Sequence, residues 1–532
     1  MRTAIKLLLL TLLFNIFLQA GNFESAIKDL TASSYSKKQK VIEQLSREYS
    51  DNKNLSTLLQ AMLNGKLYYT KMDKKFVIVR KKEGGKLHTV ELFNPESKSV
   101  NPKSLYKKVK TNNRLRSIIR TKLAELNLFS PDKKRRLKSV ENMLEHLDKE
   151  SGALINKALK SEKDSKVLAK LNEANLILKA KHGDEKEKLL AVKKMGAYLS
   201  PQTLQTLKEI ESSTKDAKLK SAAKKSIGSI EDSKWFYSII EKLFFGLSLG
   251  SILLLAAIGL AITFGVMKVI NMAHGELMMI GAYTTYTLQQ LLPNLMEYSV
   301  IIAIPLAFIV SGMVGIIIER LVIRHLYGRP LETLLATFGI SLILQQLVRS
   351  IYSPLNQEVK TPEWMSGALE INSALSLTYN RLYIVLFAIL VFAAVLLLLK
   401  KTSLGLKVRA VTQNREMAQA MGIKTGWIDA MTFGIGSGIA GVAGVALSQL
   451  TNVGPNLGQA YIVDSFMVVV FGGVGNLWGT LIGALTLGEI NKFIEPVSGA
   501  VLAKVIILIF IILFIQKRPR GLFPQKGRDA QE

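Results

Sequence analysis

From Leu243 onward the chain carries one long apolar run after another, more than a soluble core of this size could bury. Leu243–Val266, Val269–Leu292, Ser299–Ile318, Leu331–Tyr352, Leu382–Leu399 and Trp427–Leu450 each reach or approach the roughly 20 residues that a helix needs to cross a bilayer. Lipid offers no partner to backbone N–H and C=O groups, so such segments span as helices, and the second half of the chain is a polytopic α-helical membrane domain. Residues 21–234 hold no comparable run. Charge divides the opposite way. Residues 1–234 carry 49 Lys+Arg against 26 Asp+Glu, a formal +23, whereas residues 235–532 carry 21 against 15, a formal +6. The change of character falls in the Ser/Gly/charged stretch Ser226–Lys234, which reads as a linker.

Met1-Arg2 with Lys6, the apolar core Leu7–Leu18 and Leu-Gln-Ala at 18–20 form the pattern of a signal peptide, residues 1–20. An uncleaved anchor helix is the other reading. Either one places the residues after Gly21 beyond the inner membrane of a bacterium. The expected organisation is thus an extracytoplasmic domain at 21–234, a transmembrane domain at 235–524 and a cytoplasmic tail at 525–532. The sequence has no Cys, which excludes disulfides and thiolate metal sites.

The extracytoplasmic domain reads mostly as short amphipathic helices. Leu137, Val140, Leu144 and Leu147 recur at helical spacing, as do Leu189, Val192, Met195 and Leu199. The two segments align at an offset of 52, with Asp132 matching Asp184, Met143 matching Met195 and Asp164 matching Asp216. This suggests a HEAT-like stack of helices, an ordinary helical bundle being the plainer alternative. Phe76–Val79 and Leu87–Phe93 are β-rich and flank Glu83-Gly84-Gly85, predicting a hairpin. The fold expected overall is all-α, with that hairpin as its exception. No aromatic stacking pattern accompanies the lysines, so nucleic acid is not an expected partner. A face lying near anionic headgroups, or simply a solvated surface, accounts for the charge.

Loops rich in Lys/Arg orient the spans. Residues 319–330, 400–424 and the tail after Gln516 should be cytoplasmic, and the acidic loop 353–380 should lie outside. Six spans starting outside return the chain outside at Thr451, and a last helix near 500–515 brings it in. Residues 462–491 must then enter and leave on one side, as two short helices meeting at a break or as a re-entrant pair. Phe471-Gly-Gly-Val-Gly-Asn476 supplies that break. Non-helical backbone at membrane depth is tolerated only inside protein or beside a water-filled cavity, and broken helices commonly bracket transport sites. A second break is predicted at Val269–Gly275, running into Glu276. On a continuous helix Asn271 and His274 would share a face from which Glu276 points away. Either Gly275 bends the chain, or these groups have separate partners.

The loop 402–425 contains a short helical stretch, Arg415 to Met421, ended by Gly422, compact enough to dock into a partner. No G-x-x-x-x-G-K-[ST] phosphate loop occurs anywhere, so an ATP-driven process would need a separate ATPase.

Gly259-Leu-Ala-Ile-Thr-Phe-Gly-Val-Met-Lys-Val-Ile-Asn-Met-Ala-His-Gly-Glu-Leu277 resembles the first membrane motif of branched-chain amino acid ABC permeases. Leu406–Gly422 is similar to that family's coupling loop, and Lys517-Arg-Pro-Arg-Gly-Leu-Phe523 to its C-terminal signature. Within the family, Tyr461–Gly479 and Pro362-Glu-Trp-Met-Ser-Gly367 resemble the urea-importer branch, which also carries a secreted helical extension; Lys110-Thr-Asn-Asn-Arg-Leu-Arg116 is similar to a motif in it. The extension here is richer in Lys and poorer in Ala than that branch would suggest.

The resemblance implies a transport subunit rather than an enzyme, with no cofactor of its own and ATP used by its partner. It implies a second, different permease subunit, two ABC ATPases and a periplasmic binding protein. Urea or a short amide is the implied cargo. A branched-chain amino acid importer is the nearest alternative, and an ATP-independent channel or secondary transporter the alternative of another class. A small neutral amide calls for amides, hydroxyls and carboxylates along its path. Asn271, His274, Glu276, Gln345, Asp464, Asn476 and Glu489 are the candidates. Arg415, Glu416, Ala418, Ala420 and Gly422 are the expected coupling residues.

Overall fold

A computed structural model describes residues 23–49, 52–94, 96–145, 147 and 151–523. The predicted signal segment and the tail 525–532 lie outside the described residues. The chain divides into two compact units, Met1–Ser233 and Lys234–Glu532. The expected linker is helical instead, lying within a helix that spans Ala217–Met267. Its single glycine costs a helix only about 1 kcal/mol, while Ile227 and Ile230 are buried in the core of the first unit and fix its face.

In the first unit, α1 (Tyr35–Glu48) and α2 (Lys53–Leu63) precede five strands, β1 (Leu67–Thr70), β2 (Phe76–Glu83), β3 (Lys86–Glu91), β4 (Lys98–Pro102) and β5 (Tyr106–Lys108). They form one antiparallel sheet in the order β4-β3-β2-β1-β5. β2 and β3 pair across Gly84-Gly85, with Glu83 opposite Lys86. The all-α expectation with a lone hairpin is therefore corrected to a five-stranded sheet. β1 and β5 are only four and three residues long. β4, Lys-Ser-Val-Asn-Pro, has no buried residue and a composition that suits an edge strand. α3 (Asn113–Leu128) packs Leu115, Ile119 and Leu123 into a core shared with α1, α2 and the sheet.

Two successive groups of three helices come next: α4 (Lys133–Leu144), α5 (Ser151–Ser161) and α6 (Ser165–His182), then α7 (Glu185–Met195), α8 (Pro201–Ser213) and the start of α9 (Ala217–Met267). The aspartates that align at an offset of 52 are helix caps. Asp132, Asp164 and Asp184 accept first-turn N–H groups of α4, α6 and α7, and Asp216 accepts Lys218 N at the start of α9.

The second unit continues α9 and adds α10 (His274–Leu291), α11 (Ser299–Leu321), α12 (Pro330–Tyr352), a hairpin of β6 (Ala368–Asn372) and β7 (Leu375–Thr378), and α13 (Tyr379–Lys401). Then come α14 (Ser403–Gln413), α15 (Arg415–Ala420), α16 (Thr425–Ser448), α17 (Leu457–Gly472), α18 (Leu477–Ser498) and α19 (Ala500–Lys517). Among the described residues six helices are long and apolar enough to cross a membrane, those containing α9, α11, α12, α13, α16 and α19. The apolar windows of α16 and α9 are 89% and 78% buried, against a third or less in the other four. α16 and α9 are thus the central helices, and the others turn broad apolar faces outward.

The chain between α17 and α18 breaks at 473–476, where Gly473 has φ +106°, a conformation that favours glycine. Leu522 N and Phe523 N donate to Phe471 O and Gly472 O at 2.9 and 3.1 Å. The C-terminal signature therefore satisfies the orphan carbonyls at the end of α17.

Candidate functional site

The polar residues of the membrane unit gather at the other break. α9 ends at Met267 and α10 starts at His274, so the predicted span beginning at Val269 is helical only from His274 on. The turn is made at Lys268, with φ +54°, and not at Gly275. His274 Nε2 lies 2.9 Å from Ala256 O, eleven residues back from the end of α9. At 1.5 Å per residue, α10 starts about 16 Å back along α9. Residues 268–273 are therefore non-helical backbone that enters the bundle after exposed Lys268, with Val269, Asn271 and Ala273 buried. Their polar groups are answered locally. Ala273 N donates to Asn271 Oδ1 (3.0 Å), Met272 N donates to Thr337 Oγ1 (3.1 Å) and Thr337 Oγ1 donates to Ile270 O (3.4 Å).

Glu276, in the first turn of α10, is 1% exposed. Its Oε1 accepts Ser341 Oγ at 2.8 Å and Gln345 Nε2 at 2.7 Å, both from α12. Its Oε2 faces Gly458, at the start of α17. The N-termini of two helices thus meet beside this carboxylate, each with the positive end of its backbone dipole. Only glycine permits the approach: a Cβ on Gly275 would stand 2.7 Å from the carbonyl carbon of Gly458. Three buried polar atoms here, Asn271 Nδ2, His274 Nδ1 and Glu276 Oε2, have no hydrogen-bond partner among the described residues. Buried polar groups are rarely left so, and these three lie within six residues of one another. Beside it lies an apolar cavity lined by Leu260, Phe264, Asn271, Ile462 and Phe466 among others.

Of the expected pathway residues, Glu276 and Gln345 touch, and Asn271 and His274 flank them with separate partners. The other three lie elsewhere. Asp464 pairs with Lys504 at 2.9 Å. Asn476 caps α18, accepting Trp478 N and Gly479 N, and donates to Phe523 O. Glu489 lies against Gly246 of α9. What the sequence reading missed is a stripe on α12: Thr333, Thr337, Ser341, Gln345 and Arg349, spaced by four. The first four are buried, and Arg349 donates to Asn456 Oδ1 at 2.7 Å. Polar residues at i, i+4 and i+8 in an otherwise apolar span share one face, and that periodicity was the available signal.

The predicted coupling helix is α15. Asn414 caps it, accepting Met417 N. At its other end Gly422 N donates to Gln419 O and Ile423 N to Ala418 O, with Gly422 at φ +84°, a complete Schellman motif. Ala418 packs inward against Val408, Val411 and Ile428, while Glu416, Met417, Ala420 and Met421 are exposed. Arg415 does not face outward with them. Its guanidinium pairs with both carboxylate oxygens of buried Asp429 and lies 4.9 Å from the centre of the Tyr327 ring.

The family described as "Branched-chain amino acid transport system / permease component" matches residues 242–515. The high-affinity branched-chain amino acid transport system permease protein BraD of Pseudomonas aeruginosa is 31% identical over 295 residues, 54% of this chain and 96% of that protein. The corresponding LivH of Escherichia coli K12 is 30% identical over 304 residues, again 54% of this chain and 97% of the relative. A probable LivH of the archaeon Methanocaldococcus jannaschii is 29% identical over 51% of this chain and 88% of its own length. No solved structure matches. The family match begins after the first unit and takes in the break, α12, α15 and the helix pair at 473–476. By that match and those relatives, the chain belongs to the branched-chain amino acid ABC permease family.

Proposed function

We propose that this chain is one of two unlike permease subunits of an ATP-driven importer, and that its cargo is urea or a similarly small amide. It works with a pair of separate ATPases and an exported binding protein. The observation that carries the reading is the cluster around Glu276, where the non-helical stretch 268–273 and the first turn of α10 present one amide N–H group (Asn271), one imidazole nitrogen (His274) and one carboxylate oxygen (Glu276) without partners among the described residues. Urea offers a carbonyl acceptor and four N–H donors, which this mixture can answer with little fixed charge. The urea-type motifs at 362–367 and 461–479, and an extramembrane unit outside the family match, support the same cargo. The chain sits in the inner membrane with residues 21–234 outside, and that exported unit carries a HEAT-like helical array.

Import of a branched-chain amino acid is the second reading, favoured by the names of BraD and LivH. Uptake of radiolabelled urea into proteoliposomes of the full complex separates the two. Urea import should require ATP and be unaffected by excess leucine. Leucine import with no urea import would select the second reading. Urea uptake that persists with the ATPase inactivated would make the chain an ATP-independent channel.

A further inference from the structure

We propose that Arg415 and Asp429, with Tyr327 and Glu319, form the link through which the short helix α15 moves α16 and α11, and through them the Glu276 cluster; this rests on the reading of the chain as an ATP-coupled permease. α15 has two faces. Met417 and Met421 are 60% and 78% exposed and face away from the rest of the unit. Arg415 points the other way, forked onto Asp429 in the second turn of α16. Its guanidinium also covers Tyr327, whose hydroxyl donates to Glu319 Oε1 at 2.8 Å. Glu319 lies in the last turn of α11, with Arg320 Nε 3.7 Å from its other oxygen. One cation on a six-residue helix thus holds α16 directly and α11 through Tyr327.

Asp429 and Glu319 are both fully buried. Buried ion pairs are weak evidence of stability, since apolar residues of similar volume often serve as well. A forked Arg–carboxylate pair does something that an apolar contact cannot: it fixes two bodies in angle as well as distance. Burial, and next the charge of Asp429, push the Tyr327 phenol well above its ordinary value, so it stays a donor to Glu319.

α16 is suited to carry displacement onward. It is nine-tenths buried, and its small residues lie against α9 and α10 without intervening side chains. A Cβ on Gly444 would stand 2.8 Å from Ala282 N, on the helix that carries Glu276. From Asp429 to Gly444 is fifteen residues, or about 22 Å of rigid helix. A shift at Arg415 therefore reaches α10 with little slack.

The test uses the complete complex in proteoliposomes, measuring ATP hydrolysis and radiolabelled urea uptake on one preparation, with leucine in parallel. Arg415→Gln and Asp429→Asn should assemble, hydrolyse ATP, and raise the ATP consumed per cargo imported at least about tenfold. Arg415→Lys, which keeps the charge but loses the fork, should raise it about threefold, and Tyr327→Phe about twofold. A merely structural role would lower uptake and hydrolysis together and leave that ratio alone. Assembled Arg415→Gln and Asp429→Asn complexes with the wild-type ratio would overturn the link. If those two do not assemble, an unchanged ratio in both milder variants would overturn it instead. A wild-type complex without ATP-dependent uptake of either cargo would defeat the permease reading itself, a result distinguishable from failure of the link.

Discussion

Glu173, in the first unit, and Glu276, in the second, are 2% and 1% exposed. At Glu173 every oxygen is answered: Oε1 accepts the hydroxyls of Ser200 and Thr203, and Oε2 meets Lys170 Nζ at 2.9 Å. At Glu276 one oxygen takes two side chains of α12 and the other has none. The first is a finished structural joint, holding α6 to the start of α8. The second leaves acceptor capacity open at a helix break. The two units also differ in their surfaces: the first keeps most of its charges outside over apolar cores, and the second shows apolar faces outside.

The sharpest way to break this comparison is to truncate both carboxylates. Glu276→Ala removes two hydrogen bonds to a buried acid, about 3 kcal/mol, so uptake per assembled complex should fall about a hundredfold. Glu173→Ala leaves Lys170 without its buried partner and should cost the first unit about 3 kcal/mol of stability, since breaking a buried pair costs about that much. Thermal unfolding would read this loss, and uptake per assembled complex should be unchanged. Equal losses of uptake in the two variants would erase the distinction.

Smaller effects sharpen it. Gly422→Pro places a residue confined to φ near −65° where the chain has +84°. It should unwind the end of α15 and reduce uptake about tenfold for roughly 1.4 kcal/mol of lost alignment, with ATP hydrolysis continuing. Charge reversal at exposed Glu416 should act in the same direction. Thr337→Val strips the break of its hydroxyl partner for Met272 N and should lower uptake about threefold, consistent with about 1 kcal/mol for one hydrogen bond.

The mildest effect belongs to acid and the first unit. Burial raises the Glu162 carboxyl, but the Arg136 fork and the N–H groups of Lys163 and Asp164 outweigh it, leaving it below its ordinary 4.5. Asp164 is held below 3.8 chiefly by Lys133. Both groups bind fewer protons when folded, so their contribution is present above the ordinary values and lost as pH falls through the folded ones. Melting at pH 6 and pH 3 should show lower stability at pH 3, and Arg136→Gln should flatten that slope.

Much of this was legible in the sequence. Long apolar runs fix helices because lipid allows little else, and Gly422 after a short helical stretch announces its cap. A break within 462–491 was expected from its glycines, and the chain does break there at Gly473, although the parity count behind it took in 269–292, which is not among the six helices long enough to cross. The breaks were legible, but not which of them gathers the polar groups. Asp464 meets Lys504, Asn476 caps the first turn of α18 and Glu489 lies against Gly246, so none of the three joins the Glu276 cluster. Such contacts join residues up to 243 positions apart, and no local pattern encodes them. The meeting of Gly275 with Gly458 is hidden for the same reason. The stripe from Thr333 to Arg349 was written in the sequence at a spacing of four, yet Gln345 alone drew notice, because a hydroxyl in a membrane helix can also bond its own backbone. Short, Lys-rich strands such as β4 carry too little apolar patterning to announce a sheet.

The central claim is that cargo passes beside Glu276, between α10 and α12. The natural chain has no Cys, so one introduced thiol reports one place. In the full complex, Ser341→Cys should react with a water-soluble thiol reagent in one nucleotide state and be slowed at least about threefold by saturating urea, as an exposed control, Asn356→Cys, is not. If Ser341→Cys stays unreactive in every nucleotide state while the control reacts, water does not reach this site, and the pathway lies elsewhere in the bundle.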